Sequence, residues 1–169
     1  MRLKLVRPTN EYADQVMEYK AAMIKNGDSL DGCAGLEEVN NFSEWIKFES
    51  RLKKKYGKYN QLDEINEVIV VYKNNVLVGA GSIRYYDEKN VELKRIYISP
   101  AFRGQGIGTK LVSLLIEWAK ELGYQRVLLE TGEKLTESVA LYKKLGFERI
   151  PIYGPYESMP ESLCMAKDI

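Results

Sequence analysis

The chain has 169 residues, 45% of them hydrophobic, and its 25 Lys and Arg stand against 24 Asp and Glu for a formal net charge of +1. That length suits one domain with a sizeable core, spanning residues 1–169, and the charge balance sets up no field that would gather nucleic acid or an anionic membrane. Histidine is absent, which removes Ser-His-Asp and Cys-His catalysis together with the usual imidazole metal sites. Acid–base chemistry therefore falls to Glu, Asp, Tyr, Lys or Cys. The first residues, MRLKLVRPTNEYADQ, carry no apolar signal region, and no window is long and apolar enough to span a bilayer, so the expected compartment is the cytoplasm. Cys33 and Cys164 lie far apart and outside any CxxC pairing. They read as free thiols, and no metal is expected.

In chain order, Leu3 to Arg7 alternates as a strand does and stops at Pro8, after which Thr9 or Asn10 can cap a helix from about Tyr12 to Ile24. The next stretch, "NGDSLDGCAGLEEVNNFSEW", is rich in Gly, Asp and Asn and reads as a loop until Ser43 opens a second helix carrying Trp45, Ile46, Phe48 and Leu52. The basic "RLKKKYGKYN" reads as the charged end of that helix. From Val68 two β-rich runs are joined at Lys73-Asn74-Asn75, residues suited to a tight hairpin turn. "VELKRIYIS" is a further strand, with Val91, Leu93, Arg95 and Tyr97 expected on one face and Glu92, Lys94, Ile96 and Ile98 on the other. A glycine-rich turn leads into a helix of about four turns that Gly123 closes. "YQRVLLET" is the next strand, "ESVALYKKLGF" a shorter helix stopped at Gly146, and the tail holds two strand-like pieces around a Pro/Gly/Tyr loop. The expected order is β-α-α-β-β-β-α-β-α-β-β, an α/β (α+β) chain. Its mixed, mostly antiparallel sheet is flanked by helices and contains one parallel βαβ crossover between Val91 and Thr131.

The turn at the centre of that crossover carries the chemistry. A strand end, a Gly-rich turn and a helix start together present unpaired N–H groups at the positive end of a helix dipole. Gly104, Gly106 and Gly108 lack a Cβ, so an anion can reach the amides from Gly104 through Gln105, Gly106, Ile107 and Gly108 to Thr109, and Arg103 adds a charge. A Walker A loop fails, because Thr109-Lys110 reverses the required Lys-Ser/Thr order. A dinucleotide fingerprint fits badly, since G-x-G-x-G here lies late in the chain and after a hairpin.

The remaining pattern, R/Q-x-x-G-x-G/A, is matched by Arg103-Gly104-Gln105-Gly106-Ile107-Gly108. With "LKRIYISPAF" before it and "LLET…SVALYKKLGF" after it, the stretch from Val91 to Ile150 resembles the GNAT superfamily of N-acetyltransferases. The resemblance implies that the loop holds the pyrophosphate of acetyl-coenzyme A, that Ile96, Tyr97 and Ile98 line the pantetheine arm, and that the Ile98 N–H faces the thioester oxygen. It makes Tyr142 the general acid for the coenzyme A sulfur, a residue that would otherwise read as a core aromatic. Two carboxylates compete as base: Glu130 in "LLET", and Glu92 in "VELKR", acting directly or through water. Each also reads as a strand carboxylate paired with Lys94, Arg95 or Arg126. Many relatives carry Asn where this chain has Leu135, and Thr136 is the candidate to replace its contact with the arm.

The acceptor implied is a primary amine on a small molecule or peptide. Its walls are expected from the acidic loop with Asp28, Asp31, Glu37, Glu38 and Glu44, and from Tyr153 and Tyr156, which offer apolar or stacking contact. Exposed strand edges leave a homodimer open. The rival reading is a non-catalytic acyl-coenzyme A-binding or regulatory domain that keeps the loop without competent acid–base groups.

Overall fold

The computed structural model describes residues 2–6, 9–27, 36–47, 68–72 and 75–169. Seven strands form one sheet: β1 (Leu3–Val6), β2 (Val68–Tyr72), β3 (Val76–Tyr85), β4 (Asn90–Ile98), β5 (Arg126–Gly132), β6 (Glu148–Ile150) and β7 (Ser162–Asp168). They lie side by side in the order β1-β2-β3-β4-β5-β7-β6. Every neighbouring pair is antiparallel except β4 and β5, which the helix between them makes parallel. The helices are α1 (Ala13–Lys25), α2 (residues 42–47), α3 (Ile107–Glu121) and α4 (Thr136–Lys144). Element order and sheet type are as the sequence leads one to expect.

Two apolar clusters cover the two faces. The larger gathers Val78, Ile83, Val91, Leu93, Val127 and Leu129 of the sheet with Ile107, Leu111, Leu115 and Ala119 of α3 and Tyr142 of α4. The smaller places Tyr12, Val16, Phe42 and Trp45 against Leu77 and Ala80. Gln15 of α1 ties that layer to the sheet, accepting from the Leu77 N–H at 2.7 Å and donating to the Asn75 carbonyl at 3.0 Å.

Two expectations need correction. The second helix does not open at Ser43: Asn41 caps it, its Oδ1 accepting from the Glu44 N–H at 3.0 Å while the Glu44 carboxylate accepts from the Asn40 N–H at 2.9 Å. Phe48, Leu52 and the basic run after them lie outside the described residues, as do Lys73 and Asn74 of the hairpin. The simple alternation of β4 also fails. Between the pairs Ala80↔Tyr97 and Ser82↔Lys94 the register slips by one, and Arg95 takes φ +58°. Such a bulge inserts one residue and reverses which face each later side chain takes. Ile96 and Ile98 therefore pack with Val91 and Leu93 on the α3 side, whereas Tyr97 turns to the α1 side and meets Tyr19 edge-on at 5.2 Å.

Candidate functional site

β4 and β5 are in register for only three pairs, Asn90↔Arg126, Val91↔Val127 and Glu92↔Leu128. Beyond Glu92 they part, and β5 continues on β7 alone as far as Gly132↔Ser162. On its other side β4 stays with β3. The Ser99 N–H donates to the Val78 carbonyl at 2.8 Å, so the next pair, Gly79 and Ile98, is a non-hydrogen-bonded one. The N–H and C=O of Ile98 consequently point away from β3, into the gap that β5 has left.

The chain then turns through a 3-10 segment, Pro100–Phe102, into the glycine loop. Gly104 and Gly106 take φ +74° and +76°, and a Cβ built on either would meet nothing within 4 Å. Backbone conformation selects glycine there, and the space beside it is open. Gly108 differs: a Cβ would come within 3.2 Å of Leu141 Cδ1, so glycine lets α3 and α4 approach. α3 begins with Gly106 as N-cap and no side chain bonded to its first amides; its first helical bond is Lys110 N–H to the Gly106 carbonyl at 3.1 Å. The amides of the preceding turn are those a helix start leaves for an outside acceptor.

A cleft of about 750 Å³ lies between these parts, lined by Ile96, Tyr97 and Ile98 of β4, by Arg103, Gly104, Gly106, Ile107, Gly108 and Thr109 of the loop, and by Thr136 and Leu141 of α4. Phe102, Lys134, Leu135, Glu137 and Ser138 complete the wall. Every candidate cofactor-binding residue except Gln105 and Tyr142 borders it. Leu135 borders it too and is 58% exposed, an apolar side chain turned to solvent in the cleft mouth. Arg103 is less free than expected: its Nε donates to the Ile98 carbonyl at 2.9 Å, and its guanidinium lies 5.2 Å from the Tyr97 ring centroid. It braces the strand end as well as charging the loop.

Tyr142 is 9% exposed and belongs to the larger core. The stop of α4 fixes it. The Gly146 N–H donates to the Lys143 carbonyl and the Phe147 N–H to the Tyr142 carbonyl, both at 3.0 Å, and the Phe147 ring meets that of Tyr142 at 5.7 Å. This is a Schellman closure with its apolar contact, which the sequence "LYKKLGF" encodes. Burial pushes the Tyr142 phenol up to about 12, so it is a neutral donor at neutral pH.

On the sheet face opposite α3, polar side chains converge. The Tyr153 hydroxyl donates to Glu92 Oε2 at 2.5 Å, Lys94 Nζ lies 3.3 Å from Glu92 Oε1, and Lys94 also donates to the Tyr156 hydroxyl. Ser162 Oγ donates to Glu130 Oε1 at 2.9 Å, and Glu130 is in register with Cys164 of β7. Burial first, then the neighbouring Glu92, raises the Tyr153 and Tyr156 hydroxyls well above the ordinary phenol range. Burial also pushes the Cys164 thiol up. The two tyrosines expected to offer stacking contact meet each other edge-on at 5.4 Å and also serve as hydrogen-bonding partners of Glu92 and Lys94. Position along the strand pairs Lys94 with Glu92 on one face; the arrival of Tyr153 from 61 residues away leaves no mark in the sequence. Of the expected acidic wall, Asp28 and Asp31 lie outside the described residues, and the Glu44 carboxylate accepts from the Asn40 N–H at the start of α2.

Against this geometry stand the relatives. The family described as Acetyltransferase (GNAT) matches residues 33–147. The chain belongs to this family. A relative from Escherichia coli, the uncharacterized N-acetyltransferase YjgM, is 37% identical over 100 residues, covering 53% of this chain and 60% of that protein. IAA acetyltransferase of Azospirillum brasilense is 35% identical over 102 residues, covering 60% of this chain and 67% of its own. Among solved structures, a GNAT family acetyltransferase of Elizabethkingia anophelis with acetyl-CoA bound superposes with a TM-score of 0.56 at 24% identity, over 69% of this chain and 83% of that one. No helix among the described residues is long and apolar enough to cross a membrane.

Proposed function

We propose that this GNAT chain is an N-acetyltransferase moving the acetyl group of acetyl-CoA to a primary amine of a small molecule or peptide by direct attack. The observation that carries the reading is the gap between β4 and β5, which opens beside the outward-facing Ile98 N–H and leads to uncapped amides at the start of α3. A long, bent ligand with a diphosphate at one end and a thioester at the other fits those two features, and the same fold in the Elizabethkingia protein holds acetyl-CoA. Gly104, Gly106, Ile107, Gly108 and Thr109 would take the diphosphate through backbone N–H groups. Ile96, Tyr97, Ile98 and Thr136 would line the arm, and the Ile98 N–H would stabilise the thioester oxygen as charge gathers on it.

The acceptor enters as an ammonium, and two protons leave its nitrogen. One passes to a carboxylate, directly or through water, and on to solvent; the amine lone pair then forms the C–N bond while the C–S bond breaks and its electron pair leaves with sulfur. Tyr142 protonates that sulfur, and the second nitrogen proton returns through solvent to the phenolate.

Calorimetry and turnover test the reading. Acetyl-CoA at about 100 times its Kd should stabilise the protein by about 2.7 kcal/mol, with no comparable shift from ATP or NAD. Tyr142→Phe should keep that affinity and lose roughly 10²-fold or more in kcat. Absence of heat with acetyl-CoA overturns the reading, and unchanged turnover in the variant removes Tyr142 from it while leaving the cofactor site.

A further inference from the structure

The polar face opposite α3 carries an ordered row of charges. Glu92 on β4 is 5% exposed, and both of its oxygens are taken, one by the Tyr153 hydroxyl and the other by the Lys94 ammonium. Arg84 of β3 stands directly across the ladder from Glu92, and Lys94 across from Ser82, which makes the two cations diagonal neighbours on one face. The carboxylate that register offers to Arg84 is therefore already engaged. Arg84 is exposed, and among the described residues no carboxylate forms an ion pair with it. Burial and the Glu92 charge raise the Tyr156 hydroxyl while the Arg84 charge opposes them, so the guanidinium is close to that tyrosine. A guanidinium presents paired N–H donors in one plane, the geometry that takes a carboxylate through two bonds.

Toward the opening between β4 and β5 the sign reverses. Glu130 lies two residues beyond Leu128, the β5 partner of Glu92, and is half-buried. Arg84 and Glu130 are thus separated by two strand spacings and two residues along the strand, roughly 12 Å between their backbones. Over the interval lies Tyr153, whose ring meets Tyr86 and Tyr156 edge-on at 5.3 and 5.4 Å and offers apolar contact to a spacer. Resting on the proposed transferase reading, we infer that the acceptor is an ω-amino carboxylate, an amine whose carboxylate stands several bonds from its nitrogen, and that Arg84 is the residue that selects it. The same charges disfavour a polyamine, whose further ammonium groups would meet Arg84 and Lys94. Arg84 takes no part in the transfer: the carboxylate leaves as it came, and the product is the N-acetyl amide with its anion intact.

The probes are 6-aminohexanoate, its neutral amide 6-aminohexanamide, glycine and spermidine, with thiol release from acetyl-CoA as the readout. The wild-type chain should favour 6-aminohexanoate over the amide by roughly 10- to 100-fold in kcat/KM, the range of a hydrogen bond to a charged group, with the difference falling mainly in KM. Glycine, whose two charged groups are too close together to span the face, should be the poorer carboxylate. Arg84→Met should lower kcat/KM for 6-aminohexanoate until it is level with the amide. Arg84→Lys, which keeps the charge and loses the planar fork, should restore part of the preference, as loss of a merely structural side chain would not. Equal rates with carboxylate and amide, a preference that survives Arg84→Met, or faster turnover of glycine or spermidine than of 6-aminohexanoate overturns the inference while leaving a working transferase. Absence of thiol release from every probe overturns it as well; the transferase reading beneath it falls only if acetyl-CoA gives no heat of binding.

Discussion

Tyr142 is held in place by the stop of its own helix and is almost sealed from water. Its phenol is raised to about 12 in the fold against 10 in the open chain, so it adds nothing to the pH dependence of stability below pH 10. Between 10 and 12 the unfolded chain releases this proton and the folded one keeps it, so stability falls as pH rises. Denaturant titrations of Tyr142→Phe across that window should show an alkaline loss smaller by roughly 2–3 kcal/mol, the remainder belonging to Tyr124, Tyr153 and Tyr156, which are raised in the same direction. Gly79 makes a second case at this scale. A Cβ there would lie 2.4 Å from the Tyr97 carbonyl oxygen and 2.8 Å from Ile98 Cδ1, and a backbone oxygen in a ladder has little room to yield. Gly79→Ala should cost about 1–3 kcal/mol in the urea midpoint and weaken acetyl-CoA binding, because the displaced atoms belong to the cleft wall.

Among the elements, α3 carries the core: Leu111, Val112, Leu115 and Ala119 are fully buried, and Leu115 abuts Gly81 on β3. Leu115→Ala should destabilise by about 2–5 kcal/mol in chemical denaturation, with acetyl-CoA affinity falling less, since the loop amides precede that turn. The helices and their glycine stops could be read from the chain because periodicity and left-handed closures are local. Gly123 illustrates this, donating to the Lys120 carbonyl at 2.9 Å while the Tyr124 N–H reaches Ala119 at 3.1 Å. β4 shows where local reading ends. Its bulge turns on Arg95 at φ +58°, and no glycine marks the spot, so the alternation runs through it unbroken on paper. The start of α2 was misread for a related reason: Asn41 and Ser43 are both good caps, and only the bond from Glu44 chooses between them.

At the scale of the whole molecule, the antiparallel hairpins and the single parallel pair were legible, since short loops make hairpins and a crossover helix makes a parallel neighbour; the seating of β7 between β5 and β6 was not. The loop amides were legible too. The opening between β4 and β5 depends on where a ladder ends, which no local pattern marks, and the polar face around Glu92 and Glu130 was not legible, because it is assembled from β4, β5, β7 and a loop distant in sequence. Carboxylates could be nominated from type and position; which one is engaged by Tyr153 and Lys94 is a matter of tertiary packing.

The three-pair ladder from Asn90 to Glu92 is a narrow neck between a four-stranded and a three-stranded slab, which are also joined by the core beneath and by the bonds of Tyr153 and Tyr156 to β4. A thioester carrier wedged above that neck would act as a splint, gripping β4 on one side and α4 on the other. Amide exchange along Val127 to Gly132 should therefore slow when acetyl-CoA is added, although no proposed contact falls on most of those residues.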